Sequence, residues 1–467
     1  MKLAIHWFRR DLRLADNPAL LAALDAADAV LPVYIWSPED EGEWAPGGAG
    51  RWWLHHSLAA LEATLRERGS RLLLRRGPAA DVLATLVEET GATGVFWNRL
   101  YEPALVERDT RIKERLRAQG VEAESRNGAL LYEPWALQTG KGEPYRVFTP
   151  FWKAALATPE PASPVAAPDS VPLPQQVPEG LSLDALELMP RIRWYDGLEE
   201  MWTPGEDGAL ARLEHWCEQD LGDYAAQRDR PDRAGTSAIS PHLHFGEVSP
   251  RQAWTAGSAR RSELSEKGID TWLRELGWRE FAHHVLYHFP DTPTEPMYAK
   301  YARFPWREDH DAALEAWQRG RTGIPIVDAG MRQLWATGWM HNRVRMIAAS
   351  LLVKNIRAPW QKGARWFWDT LVDADLANNT MGWQWTAGSG ADAAPYFRIF
   401  NPVTQGEKFD ADGRYVKQWV PELRDLPPEK VHRPWEAPPK NYPAPIVDLK
   451  QSREEALAAL QAIKDGG

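Results

Sequence analysis

The feature that most limits the fold is a change of period along the chain. Over residues 1–135, short apolar runs alternate with amphipathic ones, and from about residue 206 only the helical period remains. LAIHWF, AVLPVYIW, RLLLRR, GVFWN and VEAES have the length and composition of strands. Between them, NPALLAALDAA, RWWLHHSLAALEATLRERG, PAADVLATLVEETG and LVERDTRIKERLRAQG have the period of helices. Asp16 or Asn17 ahead of Pro18 starts a helix well, and Gly69, Gly91 and Gly120 end the others. Such alternation predicts a doubly wound parallel sheet, a Rossmann-like α/β domain. Yet the first strand runs into RRDLRLADN, which lacks the glycines of a dinucleotide fingerprint. A main cofactor is therefore not expected in this domain.

Residues 136–205 read as a long linker, since seven prolines fall between Pro159 and Pro178 among Ala, Ser and Val. It is expected to lie extended over the surface. Residues 206–467 read as one all-helical domain. Its helices are GALARLEHWCEQDL, IDTWLRELGWREFAHHVLYHF, HDAALEAWQRG, IVDAGMRQLWATG, NRVRMIAASLLVKN and ARWFWDTLVDA. The Pro- and charge-rich tail from about 427, with its late helix SREEALAALQAIKD, is expected to be the loosest part.

Composition narrows the function. A formal net charge of −10 argues against coating nucleic acid through bulk charge, so any DNA contact needs a local basic face. The single cysteine, Cys217, excludes an internal disulfide and a cysteine-held zinc or iron–sulfur site. The start, MKLAIHWFRRDLRL, holds an apolar run only a strand long, unlike a signal peptide, and no run approaches a membrane span. A soluble, cytoplasmic monomer is expected.

The densest polar chemistry lies between Trp339 and Pro402. Arg345, Asp373, Asp375 and Asn379 sit there among apolar residues, followed by Trp383-Gln384-Trp385 and a Gly-rich turn. Such groups are costly to bury unless they pair with each other or with a ligand. Arg345 and Asp373 form the obvious ion pair, and Asp375 and Asn379, four apart, share a face if helical. His284 and His288 have metal-arm spacing, but the HExxH order is absent and no metal is expected.

These runs carry a family resemblance. TGWMHNRVRM, VDADLANN, GWQW and DAAPYFRIFNP resemble the DNA photolyase/cryptochrome family, and the likeness extends from HWFRRDLRLADNPAL to the RPW at 433–435. The resemblance implies bound FAD. Thr236, Ser237, Ala238, Ile239 and Ser240 in RAGTSAISPHLHFGEVSP are similar to the residues that hold its pyrophosphate, with Tyr224 upstream; on pattern alone the stretch is a capped turn. Trp272, Arg279, Trp339, Asn342, Arg345, Asp373, Asp375 and Asn379 resemble flavin neighbours, Asn379 at the N5 edge. Glu275 and Trp278 resemble residues that face the damaged base pair, and Asn342, Met346 and Trp385 match a dimer-binding pattern. Arg228, Arg343 and Arg398 are candidates for DNA phosphates. Trp306, Trp360 and Trp383 fall where the family keeps an electron relay from surface to flavin; without the resemblance they are core aromatics.

Asn342, where (6-4) enzymes carry a second His, points to cyclobutane pyrimidine dimers. Asn378-Asn379-Thr380-Met381-Gly382-Trp383, together with GRWWLHHSL, suggests the class III branch. The implied function is a deoxyribodipyrimidine photo-lyase on ultraviolet-damaged DNA, with a cryptochrome-type photoreceptor as the alternative. An antenna chromophore is expected in the first domain, near residues 36–51 and 98–102. Methenyltetrahydrofolate is favoured over 8-hydroxy-deazaflavin, although Ala104-Leu105 replaces an Asn-Glu pair common in folate-binding relatives.

Overall fold

A computed structural model describes residues 2–393 and 397–465. Residues 394–396, inside the DAAPYFRIFNP run, lie outside the described part, as do Met1 and 466–467. Five parallel strands form the sheet: β1 (Leu3–Phe8), β2 (Ala29–Trp36), β3 (Leu73–Arg76), β4 (Gly94–Asn98) and β5 (Glu122–Arg126), in the order β3-β2-β1-β4-β5. Helices follow each of the first four strands, as the alternation predicts. Asn17 caps the first of them by accepting from Leu20 N at 3.1 Å, with Pro18 in its first turn. Gly91 ends the third in a left-handed conformation, at φ 66°.

The linker is an edge cover. β3 has only four residues and pairs with Val33–Trp36, so the first half of β2 stays open on that side. The linker fills the gap: Val30 N donates to Pro172 O at 2.7 Å, Val171 is fully buried, and Leu181 N donates to Leu74 O at 3.0 Å outside β3. Such contacts protect a sheet edge from pairing with other chains. Within 136–205, residues Phe148–Leu156 form a helix that packs on the long helix Glu266–His288.

The helical half has one departure that matters. The helix expected to run through ARWFWDTLVDA covers Trp360–Thr370 and stops there. Leu371 is extended, Val372 N donates to Gly338 O, and a new helix begins at Leu376 with Asp375 as its N-cap. Asp373 and Asp375 therefore stand on a turn, free to point away from any helix face. The helix from Asn342 also changes character, becoming a π-helix over Leu351–Ile356.

The tail corrects the expectation of looseness. The helix Leu449–Asp465 packs on the π-helix, with Asn355 donating to Ser452 Oγ at 2.8 Å and Ala456 fully buried. Tyr442 donates to the buried Asp328 at 2.6 Å. Composition indicated solvent, but these alternate residues meet a receiving surface.

Candidate functional site

Three chain segments meet at Asp373. Arg345 Nη2 lies 3.0 and 2.9 Å from its two oxygens, Ser240 Oγ donates at 2.6 Å, and Arg345 Nε donates to Met340 O at 2.7 Å. The guanidinium also sits 5.9 Å from the Trp339 ring. Trp339 and Ala238 pack on one apolar cluster, while Ile239 joins another with Tyr224 and Trp272. The turn 236–240 is thus clamped between two cores, with Ala238 held at φ 49°.

That turn leaves its donors open. Among the described residues, no amide of 236–240 donates to another residue, and the hydroxyls of Thr236 and Ser237 have no protein partner. A third donor comes from His341. Its Nδ1 accepts from Arg343 N at 3.2 Å, and burial pushes the imidazole down to about 4, so its one proton rests on Nε2. That atom is buried and has no partner among the described residues. Open amides, hydroxyls and a buried N–H beside a guanidinium form a donor-rich, acceptor-poor set. An anion with a polar body suits it.

Asp375 does not share a face with Asn379 as a helix over both would require. As N-cap, its Oδ1 accepts from Asn378 N and Nδ2 at 2.8 and 2.7 Å, while Asn379 Nδ2 donates to Ala364 O at 3.0 Å. Its Oδ2 faces His283 Nε2 at 3.4 Å and His244 Nδ1 at 3.7 Å. Burial works against the charge of Asp375, but the positive His283 and the hydrogen bonds from both rings hold it well below the usual carboxylate range. Spacing in the sequence could not reveal these histidines, which come from other helices. His284 and His288, weighed as a metal arm, both donate to Pro134 O, and His284 Nε2 accepts from Tyr145 N.

Of the residues expected to face a substrate, Glu275, Trp278, Asn342, Arg343, Met346 and Trp385 lie on helices packed against one another, and Arg228 and Arg398 lie outside helices. Arg228 Nη1 pairs with Glu275 at 2.5 Å, and Arg343 pairs with Asp229 at 2.8 Å. Trp278 stacks on Phe148 with centroids 3.7 Å apart, and Arg398 lies 5.7 Å from the Trp385 ring. Asn342 is exposed at the start of its helix and Met346 is half-buried. Arg279 is turned to Ala129 O, at 2.8 Å, and to Glu280. Trp272 is buried, its ring close against Gly257 and 6.4 Å from Trp216.

The three relay candidates share one core. Trp360 and Trp383 are each 2% exposed, and Trp306 packs partly buried against the same cluster. Trp306 and Trp360 line one surface cavity with Tyr301 and Lys362. Trp383 sits edge-on to Phe367 at 5.0 Å, and the close approach of Gly363 leaves no room for a side chain there.

The fold and site define a two-part protein, an α/β domain joined to a helical cofactor domain. Family models place the chain: residues 4–170 match DNA photolyase, and residues 272–462 match the FAD binding domain of DNA photolyase. The chain belongs to the DNA photolyase family. It is 48% identical over 98% of both chains to a deoxyribodipyrimidine photo-lyase of Agrobacterium fabrum. It is 39% identical to cryptochrome-1 of Arabidopsis thaliana, over 98% of this chain and 70% of that one. Among solved structures, a bacterial class III photolyase from Agrobacterium tumefaciens superposes with a TM-score of 0.96 at 47% identity, covering 100% of this chain and 98% of that one. The open donors of the 236–240 turn and His341 suit the pyrophosphate and polar rim of FAD.

Proposed function

We propose that the protein is a light-driven deoxyribodipyrimidine photo-lyase that splits cyclobutane pyrimidine dimers in ultraviolet-damaged DNA. The observation that carries this reading is the donor turn 236–240, tied through Ser240, Asp373 and Arg345 to the helix bearing Asn379, Trp383 and Trp385. Photo-lyase relatives that match nearly the full length support it. Bound here by Thr236, Ser237, Arg345 and Asp373, reduced FAD would supply the light-driven electron transfer by which the cyclobutane ring is split.

The chain's own part is binding and placement. Thr236, Ser237 and the amides around them hold the pyrophosphate, and Arg345 with Asp373 fixes one polar edge. Tyr224, Trp272, Trp339 and Arg279 complete the surroundings, and Asn379 offers its amide to the flavin N5 edge. Trp278 and Trp385 give a flipped dimer aromatic faces in exchange for lost stacking. Glu275, already paired with Arg228, hydrogen-bonds the pyrimidine edge, with Asn342 and Met346 beside it. Arg228, Arg343 and Arg398 take the flanking phosphates, so binding of damaged DNA weakens as salt rises. The antenna is read as a folate, methenyltetrahydrofolate before 8-hydroxy-deazaflavin. The mass of the chromophore released on unfolding identifies it.

Similarity to cryptochromes over 98% of this chain supports a second reading, a blue-light receptor without repair. Blue light given to the purified protein with an irradiated thymine oligonucleotide separates the two. Restored thymines support repair, and none at full flavin content supports the receptor. Trp383→Phe tests the relay. It should reduce stability by about 1 kcal/mol, since ring shape is kept. Flavin photoreduction with an external donor should collapse, because Phe is much harder to oxidise, while repair by chemically pre-reduced protein survives. Normal photoreduction at full flavin content would return Trp383 to the status of a core residue.

A further inference from the structure

His283 is turned inward from the Glu266–His288 helix and is 5% exposed. Its Nδ1 lies 3.0 Å from Arg279 O, one turn back, and its Nε2 lies 3.4 Å from Asp375 Oδ2. Both partners are acceptors. A neutral imidazole has one N–H and would turn a lone pair toward one of them; only the imidazolium donates to both.

The surroundings demand the same charge. Asp375 lies against the ring, Glu102 and Glu280 feel its charge, Arg279 opposes it, and Arg10 pairs with Glu102. Burial pushes Glu280 up, and Arg10 is shared between Glu102 and Glu41, so among the described residues the ion-pair partners of Asp375 are His283 and His244. His244, on the other side of Asp375, does not supply the positive charge, because burial pushes its imidazole down. Burial pulls on His283 too, but the adjacent Asp375 outweighs it, and the ring titrates above the ordinary imidazole value of 6.5.

We propose that His283 is a charged positioning residue: an imidazolium that keeps Asp375 ionised and oriented, and thereby sets the potential at which bound FAD is reduced. The proposal rests on the reading that places Asp375 at the flavin. The chain of contacts is short. His283 holds Oδ2 of Asp375, and Oδ1 caps the helix that carries Asn379 and Trp383. The imidazolium offsets the negative charge of Asp375, which unpaired would disfavour adding an electron to the cofactor. As pH rises through the titration of His283 the imidazolium charge is lost, and the potential should fall with it.

The test uses FAD-loaded protein labelled with 15N-histidine. At neutral pH both ring nitrogens of His283 should carry protons, the signals being assigned by their loss in His283→Arg. His283→Gln should move the flavin midpoint potential to more negative values. His283→Arg should restore it and abolish its pH step, and carries the test if His283→Gln fails to fold. A singly protonated ring at neutral pH overturns the proposal. So does a potential in His283→Gln with the wild-type value and pH profile, when Asp375→Asn shifts it. If Asp375→Asn also leaves the flavin spectrum and potential unchanged, the proposal falls together with the site beneath it.

Discussion

The C-terminal edge of the sheet and the floor of the helical domain both gather buried polar groups, but dispose of them differently. At the sheet edge, where open α/β folds usually bind ligands, the amides and carboxylates find each other. Atoms there that lack a hydrogen-bond partner among the described residues are on other groups, including both His6 ring nitrogens and the Nε atoms of Arg9 and Arg13. Asn98 Nδ2 donates to Asp11 Oδ2 at 2.6 Å and to Asn17 Oδ1 at 2.7 Å, and Asp11 Oδ1 accepts from Arg9 N. Arg9 pairs with Asp109, and Arg10 with Glu41 and Glu102. The helical half then closes over this edge: Leu12 N donates to Phe245 O, and Arg13 to Gly246 O. The helical site instead leaves the amides of 236–240, two hydroxyls and His341 Nε2 without partners among the described residues. Closed networks hold a fold together, whereas open donors held rigidly by apolar cores await a ligand.

The largest effect that this contrast predicts is at Asp373. Asp373→Ala leaves Arg345 without its carboxylate and Ser240 without its acceptor, in a site where the Asp373 side chain is 4% exposed. Losing one partner of such a pair should destabilise the protein by about 3 kcal/mol, and bound FAD should be lost on purification. The flavin-to-protein absorbance ratio and a urea titration check both. Retention of full flavin would mean that the open donors serve something else.

Asn98→Ala is the matched change in the closed network. It removes two donated hydrogen bonds and the acceptor for Ala19 N. Stability should fall by about 2 kcal/mol, because Asp11 and Asn17 remain buried without that partner. Flavin content should stay at the wild-type level. Flavin loss in folded Asn98→Ala protein would break the comparison, since the sheet edge would then be part of the cofactor site.

What was legible beforehand follows the same division. Strand and helix periods depend on local sequence, so all five strands and the helices between them were readable to within a few residues. The Arg345–Asp373 pair was readable because its chemistry allows few alternatives. Asp375 and Asn379 share a face only if both are helical, a helix cap has the same spacing, and the break at Leu371 makes Asp375 the cap. His283 reaches Asp375 from 92 positions away, and no period encodes that approach. The course of the linker along the sheet edge is illegible for another reason. Its backbone bonds to β2 and β3 while Val171, Leu173 and Val177 pack on the sheet's cores, and its short Pro-broken runs have no period. Composition carries no signal for a backbone contact.

The smallest predicted effect is also the most selective. Thr236 and Ser237 make no side-chain hydrogen bond to the described protein, so replacing both by Ala removes no hydrogen bond from the described apoprotein. Unfolding of the flavin-free form should therefore be unchanged within error. If the two hydroxyls donate to the pyrophosphate, each contributes about 1 kcal/mol to binding, and the double variant should hold FAD roughly tenfold or more weakly. Fluorescence titration of the apoprotein with FAD measures this directly. The size is modest because the backbone amides of 236–240 remain, and no side-chain change removes them. A variant with unaltered affinity would assign the anion to the amides alone. A variant whose apoprotein is destabilised would show instead that the hydroxyls belong to the closed class, as in the Asn98 network.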